Sequence, residues 1–215
     1  YSKNRLLTTI AYRLNGKTTY ALEGSIFIAG AGVQWIRDRM NFIKKASDTE
    51  RIVKSLKNNS GIYLVPAFTG IGAPYWNANA RGVLSGITRN TGPKEIVRAT
   101  IESVAYQTND LFDAMKQDGL RPKLVKVDGG MVMNNWFSQY LADIINIKVL
   151  RPKVYETTAL GAAFMAGLQV GVYKSLKQIS KQWKLDKKFK PKVNNKFRKK
   201  VLADWNKAVK RTLIT

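Results

Sequence analysis

Apolar and polar positions alternate along the chain in blocks of two kinds. Residues 6–14 and 17–22 are β-prone runs on either side of Asn15-Gly16, a dipeptide that marks a tight hairpin, so the chain is expected to open with two paired strands. Helical spacing follows from about Ser25 to Lys45, placing Ile28, Trp35, Ile36, Met40 and Phe42 or Ile43 towards a core. Ser47-Asp48-Thr49-Glu50 has the pattern of a capping box and predicts a short helix ending near Asn58-Asn59. A strand closed by Pro66 spans 61–66, and another spans 82–87. Pro93 opens a long amphipathic helix to about Gln117, with Val97, Ile101, Val104, Leu111 and Met115 on one side. A strand at 124–128, a helix through 136–145, a strand at 148–150 and a helix at 157–168 complete the alternation. A last helix at 196–213 carries the stripe Val201, Leu202, Trp205, Val209 and Leu213. A hairpin followed by strands alternating with helices predicts an α/β domain on a mixed sheet.

Composition narrows the chemistry. The 215 residues are 45% hydrophobic and 10% aromatic, enough for a globular core. No run of 18 apolar residues occurs, so no membrane-spanning helix is expected. Without cysteine there is no disulfide framework or thiolate metal site, and without histidine there is no zinc–imidazole site or histidine-based triad. The start, Tyr1-Ser2-Lys3, has neither an initiator methionine nor a signal-peptide apolar region, which suggests a piece of a longer chain. The net charge of +23 raises nucleic acid as a partner. Its distribution argues for a solvated surface instead: residues 174–215 hold 15 Lys or Arg against Asp186 and Asp204, and the lysines are mixed with asparagines, as in Lys192-Val193-Asn194-Asn195-Lys196, in no RNA-binding signature. No nucleic-acid partner is expected.

The stretch Leu124-Val125-Lys126-Val127-Asp128-Gly129-Gly130-Met131-Val132-Met133-Asn134-Asn135 reads as a strand, a bare glycine turn and a helix capped by Asn134 or Asn135. This is either a nucleotide-facing turn or an ordinary strand-to-helix turn, and the residues alone leave both open. Gly30 and Gly32 interrupt the first predicted helix at a cost of ~1 kcal/mol each relative to alanine, which asks for a close neighbour, either a helix or a flat ligand. Gln34 lies one turn beyond Gly30 and can offer it an amide. The small residues Ala159, Gly161, Ala162, Ala163 and Gly167 suit close packing of the 157–168 helix. The glycine- and aromatic-rich loop 67–81 is either a structural plug or a lid. Glu102 requires a hydrogen-bond partner in its apolar surroundings, and Glu156 is placed to cap the helix at Thr157. No acid pair reads as catalytic, no metal site is expected, and there is no Gly-x-x-x-x-Gly-Lys-Ser/Thr phosphate loop.

Taken together these residues resemble the C-terminal domain of the glycerol kinases, within the sugar kinases of the actin-like (ribonuclease H-like) ATPase fold. The resemblance is carried by Leu6-Leu7-Thr8-Thr9-Ile10-Ala11, Tyr20-Ala21-Leu22-Glu23-Gly24 and Val65-Pro66-Ala67-Phe68-Thr69-Gly70. It continues through Gly72-Ala73-Pro74-Tyr75-Trp76, Ile101-Glu102-Ser103-Val104-Ala105-Tyr106-Gln107-Thr108, Val127-Asp128-Gly129-Gly130 and Thr158-Ala159-Leu160-Gly161-Ala162-Ala163. It implies ATP-dependent phosphorylation of glycerol to sn-glycerol 3-phosphate with Mg2+, ATP/ADP being held partly by this domain. Carried over by motif, Gly130 and Asn134 contact the nucleotide, and Gly30 and Gln34 line its adenine and ribose side. The family's catalytic aspartate and its phosphate-gripping Tyr-Gly-Thr-Gly loop fall before Tyr1, as does most of the glycerol pocket. No turnover is therefore expected from this chain alone. Asn77 stands where the family usually has aspartate.

The resulting expectations are a nucleotide-binding domain over 1–173, a basic and mostly helical extension over 174–215 packed on it, and a cytoplasmic location. An uncovered apolar face is expected to favour self-association. The alternative reading is a non-catalytic remnant or split half that binds only nucleotide or a partner chain.

Overall fold

The computed structural model describes residues 1–214; Thr215, the last residue of the expected C-terminal extension, lies outside the described residues. In chain order the elements are β1 (Leu7–Leu14), β2 (Lys17–Glu23), α1 (Gly30–Asp38), α2 (Asp48–Ser55), β3 (Tyr63–Val65), β4 (Val83–Ser85) and α3 (Pro93–Gln117). There follow β5 (Leu124–Lys126), a 3-10 turn (Gly130–Met133), α4 (Asn135–Ile145), β6 (Lys148–Pro152), α5 (Thr157–Gln169), α6 (Leu176–Ser180), β7 (Leu185–Phe189) and α7 (Asn195–Thr212). β1 and β2 form the antiparallel hairpin expected around Asn15-Gly16. β3 pairs antiparallel with β4. β6 is central in a mixed sheet, parallel to β5 and antiparallel to β7.

The 25-residue α3 runs through the middle of the core because its apolar stripe is wider than one helix face. Pro93 needs no amide partner at the first helical position, and the Glu95 carboxylate accepts the Gly92 N–H at 2.9 Å. α3 packs against β3, α1, α2 and α4. Its buried polar residues satisfy one another. Arg98 donates to Glu102 at 2.7 Å and to the Leu56 carbonyl at 2.6 Å, and the Tyr106 hydroxyl donates to Glu102 at 3.0 Å. A second hydroxyl, that of Tyr140, lies 2.6 Å from Tyr106. Glu102 thus finds the partners its apolar surroundings require. The indole of Trp136 stacks on Tyr140 at 4.8 Å, and the Arg98 guanidinium lies over the same indole at 5.1 Å.

Residues after 173 join the same layers. β7 extends the mixed sheet, and α7 buries Trp205 completely against Tyr106, with ring centroids 5.3 Å apart.

Several expectations change on contact with the structure. α1 is shorter than the 25–45 helix at both ends. The Ser25 carbonyl accepts the Ala73 N–H at 3.1 Å and packs against Gly72, so it is not available to a helix beginning there. At the other end Asn41 adopts φ 55°, a left-handed conformation that stops the helix, leaving Met40 exposed and Ile43 buried beyond it. Ser47 precedes α2 but makes no capping bond; Asp48 Oδ2 accepts the Lys44 and Lys45 amides instead. α2 ends at Ser55, before Asn58-Asn59. Glu156 makes no side-chain cap to α5. The small-residue face of α5 is not packed: a Cβ at Gly161 would meet nothing within 4 Å, and only Gly167, against Tyr173, is buried. α6 and β7 have no counterpart in the predicted elements. Among the described residues, no helix is long and apolar enough to cross a membrane.

Candidate functional site

A cleft of about 400 Å³ opens where α1, the start of α2 and the 3-10 turn converge over α3. It is within the size range of small-molecule sites. Its floor and sides include Val33, Ile101, Met131 and Met133, and its rim includes Gln34, Arg37, Ser47, Glu50 and Asn134. Gly30, Gln34, Gly130 and Asn134, the four residues singled out from sequence, all line it.

Each is placed by local physics. Gly30 is the first residue of α1, after Ala29. The second glycine, Gly32, is buried, and a Cβ there would meet Thr100 Cγ2 at 3.1 Å, so close helix packing explains it. Gly30 is different. A Cβ there would meet no protein atom within 4 Å, and the same holds at Gly130. Gly129, between β5 and the turn, has φ 81°, which favours glycine on backbone grounds alone. Gln34 is exposed, one turn along α1 from Gly30, and its amide makes no hydrogen bond among the described residues.

Of the two asparagines that the sequence offers as the cap, Asn134 caps α4 and Asn135 is the helix's first residue. Asn134 Oδ1 accepts the Phe137 N–H at 2.9 Å, and its amide nitrogen donates to Thr49 Oγ1 at 3.2 Å. The next residue, Asn135, donates its backbone N–H to Glu50 Oε2 at 3.2 Å, and Lys54 pairs with Glu50 Oε1 at 2.5 Å. Burial pushes the Glu50 carboxyl up, but Lys54 and the Asn135 N–H outweigh it and hold the group below its ordinary range. Glu50 is the one carboxylate of the cleft lining among the described residues, and it is committed to these partners.

The turn is anchored from beneath by Arg151 of β6, a buried residue that sequence reading left out. Arg151 donates to the Val132 carbonyl at 2.8 Å, the Met133 carbonyl at 3.3 Å and Asn135 Oδ1 at 3.3 Å. Its Nε donates to Asp186 of β7 at 2.7 Å. The available signal was a charged residue inside Val149-Leu150-Arg151-Pro152, a run whose other members are apolar. Thr49, Glu50 and Arg37 carry no such signal, because only the folding of α2 towards α4 brings the first two to the cleft.

The loop 67–81 lies elsewhere. Ala67, Gly70, Ile71, Gly72 and Ala73 are buried, none of its residues lines the cleft, and the Tyr75 hydroxyl donates to Asp110. It is a packed plug. Asn77 accepts the Asn79 and Ala80 amides through Oδ1 and so closes a turn without needing charge.

Chemically, the cleft offers apolar walls for a flat ring, two primary amides and two unoccupied glycine positions. No group of three or more acidic or histidine side chains suited to a metal occurs among the described residues.

Comparison with known proteins bears on this cleft. Residues 3–170 match the C-terminal domain of the FGGY family of carbohydrate kinases. The chain is 55% identical over 211 residues to a glycerol kinase of Ectopseudomonas mendocina, covering 98% of this chain and 43% of that protein. Its structure superposes on a crystal structure of Plasmodium falciparum glycerol kinase with ADP at TM-score 0.88 and 42% identity, over 100% of this chain and 43% of that one. A ligand-bound xylulose kinase from Lactobacillus acidophilus shares the fold at TM-score 0.80 and 23% identity, over 98% of this chain and 42% of its own. The fold is that of the actin-like ATPases. The chain spans about 43% of the length of the relatives it matches.

Proposed function

The chain belongs to the FGGY family of carbohydrate kinases, matching its C-terminal domain, and from that premise we propose that it forms the nucleotide pocket of a glycerol kinase. The activity is ATP-dependent phosphorylation of glycerol to sn-glycerol 3-phosphate. The observation that carries the nucleotide assignment is the pair Gly30 and Gly130. Both border one cleft, and the space around a Cβ at either is empty of protein within 4 Å. At Gly30, where alanine would favour the helix, packing gives no reason for glycine, whereas a ligand lying on the backbone does. In this reading the adenine lies among Val33, Ile101 and Met131, and the Gln34 and Asn134 amides meet polar edges of the nucleoside.

The identity to glycerol kinases supports glycerol as the acceptor. The cleft lining supports ATP or ADP as the ligand, and among its described residues the one carboxylate, Glu50, is already held by Lys54 and Asn135 and is not free to hold a magnesium ion. Magnesium would therefore arrive with the nucleotide phosphates. The cleft also holds no free carboxylate to take the glycerol proton, because Glu50 is tied to Lys54 and Asn135. Proton abstraction and most of the glycerol contacts then belong to the remaining length of such a kinase, and the 215-residue chain by itself binds nucleotide without turning over. Dependence on ATP goes with a cytoplasmic location.

Fusing this chain to the preceding portion of the E. mendocina glycerol kinase tests the reading. Glycerol-dependent ADP release from the fusion supports it. A folded fusion with no such release rejects it in favour of a remnant that only binds.

A further inference from the structure

Asn134 has its side-chain amide fixed at both ends. Its oxygen caps α4 through the Phe137 N–H, and one of its two amide hydrogens goes to Thr49 Oγ1. Thr49 is 3% exposed, and its own hydroxyl hydrogen is spent on the Ala46 carbonyl at 2.6 Å, so its oxygen faces Asn134 purely as an acceptor. The relay therefore runs one way, from the amide to Thr49 to the backbone of the segment leading into α2. An amide group is planar, so fixing its oxygen and one hydrogen fixes the direction of the other hydrogen. That second hydrogen has no protein partner among the described residues, on a side chain that lines the cleft.

Capping alone does not require this arrangement. Serine, threonine or aspartate caps a helix as well as asparagine does, and none of them has a second donor to orient. We propose that Thr49 is a positioning residue for the nucleotide, holding the Asn134 amide so that its remaining N–H is presented to the bound ligand. The inference rests on the nucleotide reading of this cleft. Glu50 reinforces the same clasp by accepting the adjacent Asn135 N–H, which ties α2 to the start of α4 at two consecutive residues.

The test is ADP affinity, measured by calorimetric titration of the 215-residue chain and its variants. T49V keeps the shape of the side chain and removes the acceptor, and it weakens ADP binding about five- to tenfold, the worth of one well-aligned hydrogen bond. T49S keeps the acceptor and restores most of the affinity. In an N134S background, which keeps the cap and removes the amide, T49V has no further effect on ADP affinity. If T49V loses its thermal unfolding transition, T49A reads the same bond without the added methyl. Wild-type chain that binds no ADP overturns the nucleotide reading itself. Wild type that binds while T49V and T49A bind equally well overturns the role of Thr49 alone, as does an undiminished effect of T49V in the N134S background.

Discussion

The indole N–H of Trp205 donates to Asp110 Oδ2 at 2.8 Å, and the Tyr75 hydroxyl donates to the same oxygen at 2.9 Å. One buried carboxylate thus joins the C-terminal helix α7, the central helix α3 and the plug loop. Desolvation pushes the Asp110 carboxyl from an ordinary 3.8 up to about 7, against the two donors that favour its charge.

Stability consequently depends on pH through this group. The folded state holds the Asp110 proton more tightly than the unfolded state, so the contribution is complete below about pH 4 and is lost as pH rises through about 7. Each unit of separation is worth about 1.4 kcal/mol. D110N keeps a carbonyl oxygen for both donors and cannot ionise. Chemical denaturation of D110N and wild type at pH 5 and pH 8 should therefore show the variant gaining by a few kcal/mol relative to wild type at the higher pH. A difference that is the same at both pH values refutes this.

The two open glycines separate stability from binding. G30A should stabilise the fold by up to about 1 kcal/mol of helix propensity and so raise the melting temperature slightly, because no protein atom opposes the new methyl. G130V should leave folding nearly intact and reduce ADP affinity at least about tenfold by occupying the cleft. Thermal scans with and without ADP check both. A loss of stability in G30A would mean that packing explains that glycine.

Arg151 links the turn at 130–133 to the basic tail. R151M takes the charged donor from the Val132 carbonyl, which keeps only the Ser138 hydroxyl at 2.9 Å, and leaves Asp186 without its partner, and should cost about 2 kcal/mol. Asp186 is itself 41% exposed, so D186N should cost much less, under about 1 kcal/mol. Equal losses in the two variants, measured by denaturant unfolding, would place the stabilising effect in the ion pair instead of the carbonyl anchor.

The hairpin presents paired apolar side chains to solvent. Ile10 and Tyr20 are cross-strand partners and are 61% and 68% exposed. The chain is expected to self-associate as concentration rises, and the double substitution I10T/Y20T to weaken that association. Sedimentation velocity over a concentration series checks it, and a monomer at every concentration contradicts it.

Much of this was legible in the sequence where local chemistry decides the outcome. The span of α3 follows from Pro93 and an uninterrupted apolar stripe, the hairpin from Asn15-Gly16, and a cap at Asn134 or Asn135 from polar residues ahead of an apolar run. The four residues named through the family resemblance, in segments that glycine and amide patterning had already marked, share one cleft. What escaped depends on distant partners. Nothing local announces that Ser25 pairs with Ala73 and so delays α1, or that the charged segment at 185–189 becomes a strand by pairing with β6. Thr49 and Arg151 matter only because folding brings them to Asn134 and the turn, at separations of 85 and 18–19 residues.

The claim that this cleft holds an adenine nucleotide is tested most directly by titrating ADP into the 215-residue chain and following the backbone amide resonances of Gly30, Gln34, Gly130 and Asn134. The account predicts saturable shifts that share one dissociation constant at these four residues, and their loss in G130V. The absence of saturable binding, or shifts centred away from these residues, would contradict it.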